Sequence, residues 1–296
     1  MDYKTKLRAF QLETEGALFS YYKPDHYTLI EARLPKGGIA VLETDLALHG
    51  KSVINLLHIT SWDVDHCNYN DLTAIINKFR PSLIHVPDYL PDTEEGELCR
   101  KVILKYDDIH KRYVNNVQII SGTFIQGLSN AEPMDTNDVV YPSCYRSPIK
   151  NDMSLIRLFR SPGFNVLSLG DCESLEISKR LQQRNLIKTE VDVLILPHHG
   201  ADNGFMTGDF LDTVNPRVAV CSSNYDNRFE HPDPRIRSLL AAREIPVMTT
   251  KRGDVIIYQT ATYENAQAIN FISGNKDLEK PISFKPKRFS RNQKAA

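Results

Sequence analysis

Short apolar runs, each closed by a turn signal, recur through this chain, and their spacing changes midway; no other feature restricts the fold as much. In the first 60 residues, 6–13, 17–22, 27–34 and 39–44 are apolar or alternating runs. They are separated by Glu15-Gly16, Lys23-Pro24-Asp25 and Pro35-Lys36-Gly37-Gly38, which predicts four strands. The run 53–60 is more continuously apolar, as expected of a strand covered on both faces. A helix is predicted over 71–79, with Asp71 near its N-cap and Pro81 as its stop. A second spans 94–113, with acidic residues first and basic ones last, the sense that complements the helix dipole. The runs 83–86 and 117–125 read as strands, and 126–150, rich in Asn, Asp, Ser and Pro, as a long loop over a site.

From residue 154 strands and helices alternate. Strands are predicted over 154–159, 165–169, 191–196, 217–222, 247–250 and 254–259, and helices over 173–185, 208–214 and 234–243. A strand-rich half followed by this alternation implies two sheets with outer helices, a four-layer α/β sandwich of αββα order. Residues 1–274 are assigned to that domain and 275–296 to a basic C-terminal tail or linker.

Composition removes several classes of protein. With 41% hydrophobic and 25% charged residues in 296, the chain is neither disordered nor a disulfide scaffold. No apolar stretch approaches the ~18 residues of a membrane span, and the N-terminus lacks the apolar core of a signal peptide. The five cysteines are widely spaced with no CxxC pair, which reads as a reducing cytoplasm and no cysteine-built zinc site. Charge is uneven: Lys280, Lys285, Lys287, Arg288, Arg291 and Lys294 follow one another with no acid between them. Setting aside residues 280–296, which carry those six, leaves −7 on the other 279 residues of a chain whose formal charge is −1. Such a tail is either a nucleic-acid arm or a solvated terminus.

Four polar clusters close apolar strands. The first is Ser61-Trp62-Asp63-Val64-Asp65-His66, whose carboxylates and imidazole offer the oxygen and nitrogen donors that divalent cations take, although such a run can also cap a turn. The second is Gly170-Asp171, a metal ligand or the N-cap of the helix that follows. The third, Pro197-His198-His199-Gly200, puts two histidines at the tip of an apolar strand that gains nothing from them. The fourth is Glu230-His231-Pro232. Ligands gathered at strand ends are the usual construction of sites on α/β scaffolds, so the four together imply a metal site.

In this order the motifs resemble the metallo-β-lactamase-fold hydrolases, most closely the soluble hydrolase domain of ComEC-type DNA-uptake proteins and their stand-alone relatives. Asn151-Asp152-Met153-Ser154 is similar to the Asn-x-x-Ser that starts a strand in that family, and the likeness covers about residues 7–260. It implies hydrolysis of an ester, most often a phosphodiester, by a metal-bound hydroxide. Against the family run Thr-His-x-Asp-x-Asp-His, Thr60, Asp63, Asp65 and His66 match, and Ser61 replaces the first histidine. The resemblance implies Asp63, Asp65, His66, Asp171, His198 and His199 as metal-binding positions, with Asp171 bridging two metals and only one of the two histidines a ligand. It implies Asp65, Asp171 and His231 as catalytic, His231 beside the reacting phosphate. His58 cannot replace the lost ligand, because it and Ser61 point to opposite faces of a strand. The second metal position, left with Asp63, Asp171 and Ser61, is expected to be weaker, so Zn²⁺, Mn²⁺ and Mg²⁺ at one or two per chain all suit the set.

Other residues carry less. Trp62 reads as a packing anchor under the metal loop or as a stacking platform, and Cys67 and Cys172 as small buried residues. His26, His49, His85 and His110 read as surface or structural, and Tyr141, Tyr145 and Arg146 as groove-lining or packing. The expected function is a metal-dependent phosphodiesterase, specifically a nuclease acting on DNA. By analogy it is an effector of a bacterial defence system to which a protein partner delivers the substrate. The alternatives are hydrolysis of a small ester, such as a cyclic nucleotide or a lactone, and a non-catalytic binding module with a degenerate metal site.

Overall fold

A computed structural model describes residues 2–110, 116–121, 138–141, 147–226, 228–271 and 280–287. The first half supplies β1 (Tyr3–Ala9), β2 (Phe19–Lys23), β3 (His26–Ile30), β4 (Leu56–His58), β5 (Leu83–Pro87) and β6 (Val117–Ile120). With them come helices α1 (Ile39–Ala47), α2 (Tyr69–Phe79) and α3 (Glu94–His110). The second half supplies β7 (Val139–Tyr141), β8 (Ile156–Phe159), β9 (Val166–Ser168), β10 (Val193–Ile195), β11 (Val218–Cys221) and β12 (Val247–Thr249). Its helices are α4 (Leu175–Leu181), α5 (Asn185–Glu190), α6 (Gly208–Val214) and α7 (Pro234–Ala241). Strands β13 (Val255–Thr260), β14 (Ala266–Asn270) and β15 (Ile282–Phe284) return to the first sheet. Its order is β15-β14-β13-β1-β2-β3-β4-β5-β6; the second sheet runs β12-β11-β10-β9-β8-β7.

Three apolar layers show why the stack has four tiers. Leu7, Phe19, Tyr21 and Ile257 of the first sheet meet Phe159, Val166, Val193, Ile195, Val218 and Val220 of the second in a buried layer between them. The period of two along each strand sends the alternate residues outward. Leu167, Leu194, Ala219 and Cys221 therefore pack under Ile177 of α4, Ile187 of α5, Phe210 and Leu211 of α6 and Ile236 of α7. On the far side, Tyr27, Leu29 and Leu57 pack under Leu42 and Leu46 of α1, Leu72, Ile75 and Ile76 of α2 and Ile103 of α3. The architecture is the αββα sandwich expected from the sequence.

Local departures have physical reasons. The run 39–44, expected to be a strand, begins α1: Leu42 and Leu46 are buried one helical turn apart. Its Asp45 is buried against Lys6 Nζ at 2.7 Å, Arg8 at 3.1 Å, and the hydroxyls of Ser20 and Tyr27. Neither expected acidic cap is used. Asn68 caps α2, accepting from the amides of Asn70 and Asp71, and the helix expected over 173–185 is two helices, the first capped by Ser174. Asp171 is thereby left for other work.

The boundary between domain and tail at 274/275 is corrected. Strand β15 pairs with β14, Phe284 enters the layer between the sheets, and Lys287 is buried, its Nζ donating to the Val214 carbonyl. Residues 280–287 are packed on the body. Tyr141, offered as groove-lining, is a buried residue of β7, whereas Tyr145 and Arg146 lie outside the described residues. Among the described residues no helix is long and apolar enough to cross a membrane.

Candidate metal centre

Strands β3 to β6 run parallel, as do β9 to β12, so the carboxyl ends of β3 and β4 lie at one edge of their sheet and those of β9, β10 and β11 at one edge of theirs. The two edges coincide. One donor atom from each of Asp65, His66, Asp171 and His199 lies within 4.8 Å of the other three. His66 Nε2 is 2.7 Å from Asp171 Oδ2, and His199 Nε2 is 3.3 Å from Asp65 Oδ2.

Close backbone approach places these groups. Gly170 has φ +53°, and a Cβ there would lie 2.6 Å from Ser154 Cβ and 3.2 Å from Thr60 Cβ. Only glycine lets the loop carrying Asp171 rest on the loop that follows β4. Gly16 does the same for Asp65, whose carbonyl would lie 2.7 Å from an added Cβ and which accepts from the Ala17 amide. At the third cluster, His198 (φ +46°) and His199 (φ +53°) are both left-handed, an uncommon conformation for such side chains that costs of order 1–3 kcal/mol per residue. The result is a division of labour. His199 turns into the cluster, while His198 faces Glu173 at 3.0 Å and stands 6.5 Å, ring to ring, from His231.

Each inward histidine is braced from behind. His66 Nδ1 is 3.2 Å from Glu31 Oε1, and Glu31 also accepts from the Thr60 hydroxyl (2.6 Å) and amide (3.0 Å). His199 Nδ1 is 2.9 Å from the Ser222 carbonyl, which fixes the tautomer that leaves Nε2 as the donor atom. Imidazole held through its far nitrogen by a carboxylate or carbonyl is the arrangement metal-binding histidines adopt. The donor set, two imidazoles and two carboxylates, fits a divalent ion such as Zn²⁺ or Mn²⁺.

The electrostatics agree. Burial disfavours charge on every one of these groups, yet the carboxylates around His66, Asp171 foremost, raise its pKa well above the ordinary imidazole value. Asp65 and Asp171 are held below the usual carboxylate range by His66 and His199 in spite of burial. Two negative charges, Asp171 buried and Asp65 half-buried, are thus matched to two imidazoles that can hold protons or face a cation.

The remaining expected residues fall elsewhere. Asp63 is not in the cluster: its carboxylate is held by Lys150 Nζ on one oxygen and by Ser61 Oγ, at 3.1 Å, on the other. Trp62 is fully buried, its indole donating to the Tyr89 carbonyl, so it is a packing anchor. His231 stacks on Phe229 (5.5 Å, 18°) at a recess of about 60 Å³ that Asp65, His198, His199 and Ser223 also line. Burial and then the neighbouring His199 and His198 push its pKa down to about 4. Four residues of the site carry no local sequence signal strong enough to mark them: Glu31, Ser222, Tyr89 and Lys150. The only signal for Glu31 was a single carboxylate closing the apolar run that is now β3.

No protein-family model matches the chain. It is 26% identical over 142 residues, 47% of its length, to ComE operon protein 3 of Bacillus subtilis (strain 168), and 40% identical over 58 residues, 20% of its length, to competence protein ComA of Neisseria gonorrhoeae. The matched segments are 18% and 8% of those proteins, so the chain spans under a fifth of either relative. Among solved structures, a Thermotoga maritima protein assigned as a metallo-β-lactamase aligns with 63% of this chain and 94% of its own, at a TM-score of 0.41 and 16% identity. In sequence the chain is similar to a part of each of these two proteins, and its scaffold is the αββα sandwich described above.

Proposed function

We propose that this chain is a metal-dependent hydrolase of phosphodiesters, and specifically a nuclease acting on DNA. The observation that carries the reading is the convergence of Asp65, His66, Asp171 and His199 at the facing edges of two sheets, with both histidines braced through their second nitrogen. A divalent ion held by these four supplies a Lewis acid that makes water nucleophilic near neutral pH and offsets charge developing on phosphoryl oxygens. The chain's own residues do the rest. Asp171, buried, and Asp65, half-buried, hold negative charge, and Glu31 and Ser222 fix the imidazoles. His231, neutral at pH 7, stands at the recess beside His198, where it can donate a hydrogen bond to a phosphoryl oxygen.

The size of the recess favours a polymer. Sites that enclose a small molecule have ~300 Å³ or more, whereas this one has about 60 Å³. A single phosphodiester linkage fits such a space while the flanking nucleotides lie across the surface. The resemblance to the hydrolase domain of DNA-uptake proteins supports DNA as that polymer, as do the basic residues Arg288, Arg291 and Lys294. The test is incubation of the purified chain with plasmid, linear duplex and single-stranded DNA, and with a chromogenic phosphodiester, in Mn²⁺, Mg²⁺ or Zn²⁺ with an EDTA control. Metal-dependent cleavage of DNA, absent in Asp171→Ala, is the expected result. Cleavage of small esters alone assigns the site to a small substrate, and a chain that binds no metal and cleaves nothing ends the reading.

A further inference from the structure

The family pattern provides for a second metal at Ser61 and Asp63, and the residues here do not fit one. Both oxygens of Asp63 are taken. Lys150 Nζ contacts Oδ1 and also reaches Asp92 Oδ1, while Ser61 Oγ donates to Oδ2. Ser61 itself is committed, lying 2.9 Å from the Tyr89 hydroxyl, which also accepts from the Trp62 amide. The position that offers an imidazole in the family thus offers a hydroxyl already engaged by a phenol. The carboxylate that remains carries an ammonium.

Lys150 is held in that place by its neighbours. Asn151 donates to Glu173, two residues beyond Asp171, and Asp152 Oδ1 accepts from the amides of Glu173 and Ser174. Leu155 N donates to the Thr60 carbonyl, and Ser154 Oγ is 3.2 Å from the amide of Asp171. The segment 150–155 therefore runs between the loop that carries Asp63, Asp65 and His66 and the loop that carries Asp171, with Lys150 at its head and its side chain one-quarter exposed.

We infer that this chain holds one metal ion, and that the ammonium of Lys150 stands where a second cation would sit. The inference rests on the metal-centre reading and deepens it. A resident ammonium supplies a positive charge on Asp63 that needs no loading, and it competes with a divalent ion there, because a second cation on the same carboxylate meets its repulsion and gains less from a charge already paired. Charge on a departing oxygen can be met by an N–H donor there in place of a Lewis acid.

Counting bound metal tests this without reference to activity. Chain equilibrated with excess Mn²⁺ should hold one ion by electron paramagnetic resonance, and chain equilibrated with Zn²⁺ and desalted should hold one by elemental analysis. Ser61→His should remain at one, since Lys150 still holds Asp63. Lys150→Ala should admit a second, weaker Mn²⁺, and Ser61→His with Lys150→Ala should approach two Zn²⁺ per chain. Lys150→Met, which keeps the apolar stem, checks that any gain follows the charge and not a loosened loop: it should gain the second Mn²⁺ as well. Two ions in the unaltered chain, or one ion in every folded variant, overturns the inference and leaves the metal centre standing. No ion in the unaltered chain overturns the metal-centre reading itself.

Discussion

Glu31 and His66 face each other across 3.2 Å, carboxylate to Nδ1, on the side of the imidazole away from Asp171. The pair ties the end of β3 to the loop after β4, and it converts a buried carboxylate into a fixed orientation for a metal donor. Replacing Glu31 with Gln keeps the shape and one of the two acceptor oxygens that Thr60 uses, and removes the charge that strengthens His66 as a ligand. Metal affinity should fall ~10- to 100-fold, measured by competition with a chromogenic chelator, with little change in the melting temperature in EDTA. An unchanged affinity would reduce Glu31 to a strap for Thr60.

How far the sequence foretold this site depends on how each residue reaches it. Asp65, His66, Asp171 and the histidine pair stood out because reactive side chains closed apolar runs, a local pattern. Glu31 and Lys150 did not, because their roles exist only through register and loop contact. Ile30 lies opposite His58 in parallel pairing, and this alone sets Glu31 beside Thr60. Asp63 was read as a ligand from its order in the motif, and nothing local signals that a lysine 87 residues away lies on it. The choice between His198 and His199 was closed to sequence because it is made by two left-handed backbones in succession. Helix α1 reads locally as a strand because its nine residues are largely apolar or β-branched, and what holds it is tertiary, Asp45 against Lys6 and Arg8.

Asp171 links the two sheets across the site, and its loss should separate chemistry from folding. Asp171→Ala removes an oxygen donor and leaves His66 facing Asp65 and Glu31. Bound metal should fall well below one per chain, and hydrolysis should drop at least ~1000-fold with every metal, the scale of losing a group that acts in the transition state. Far-ultraviolet circular dichroism should be unchanged. Full activity in this variant would mean that the chemistry lies elsewhere.

His58 makes a prediction about acid. It is fully buried on Phe159 and His85 (ring centroids 5.6 and 5.9 Å), and neither ring nitrogen meets a hydrogen-bond partner among the described residues. Burial, then Arg157 and His85, hold its pKa well below 6.5, and burial and Arg157 lower that of His85 to about 3. Both histidines are neutral in the folded chain and bind protons on unfolding as pH falls through 6.5. The unfolded state therefore takes up more protons, and stability present above pH 6.5 is lost progressively from there towards pH 3. His58→Leu should raise the melting temperature at pH 7.5 by a few degrees, as expected when an unpaired buried polar group worth ~1–3 kcal/mol is removed. It should also make the decline between pH 6.5 and 4 shallower. Melts recorded in EDTA isolate this effect from metal release; parallel curves for the two proteins would place the acid sensitivity in other groups.

The C-terminal basic run divides at Lys287, and truncations on either side of that residue should behave differently. Lys287 donates its amide to Asp192 Oδ1 at 2.7 Å and its Nζ to the Val214 carbonyl at 2.6 Å, and burial lowers its pKa to about 8. Asp192 is buried and loses that amide donor if the chain ends earlier, and the first sheet loses its edge strand β15. Deleting 280–296 should therefore destabilise the fold by an amount visible as a lower melting temperature, whatever it does to binding. Deleting 288–296 removes Arg288, Arg291 and Lys294 and none of the described body, so the melting temperature should hold. If those three charges contact phosphates, the slope of log affinity for duplex DNA against log salt should fall by ~2–3, while turnover of a chromogenic phosphodiester is unaffected. An unaltered slope with unaltered turnover assigns 288–296 to a linker, and phosphate contacts must then come from the body itself.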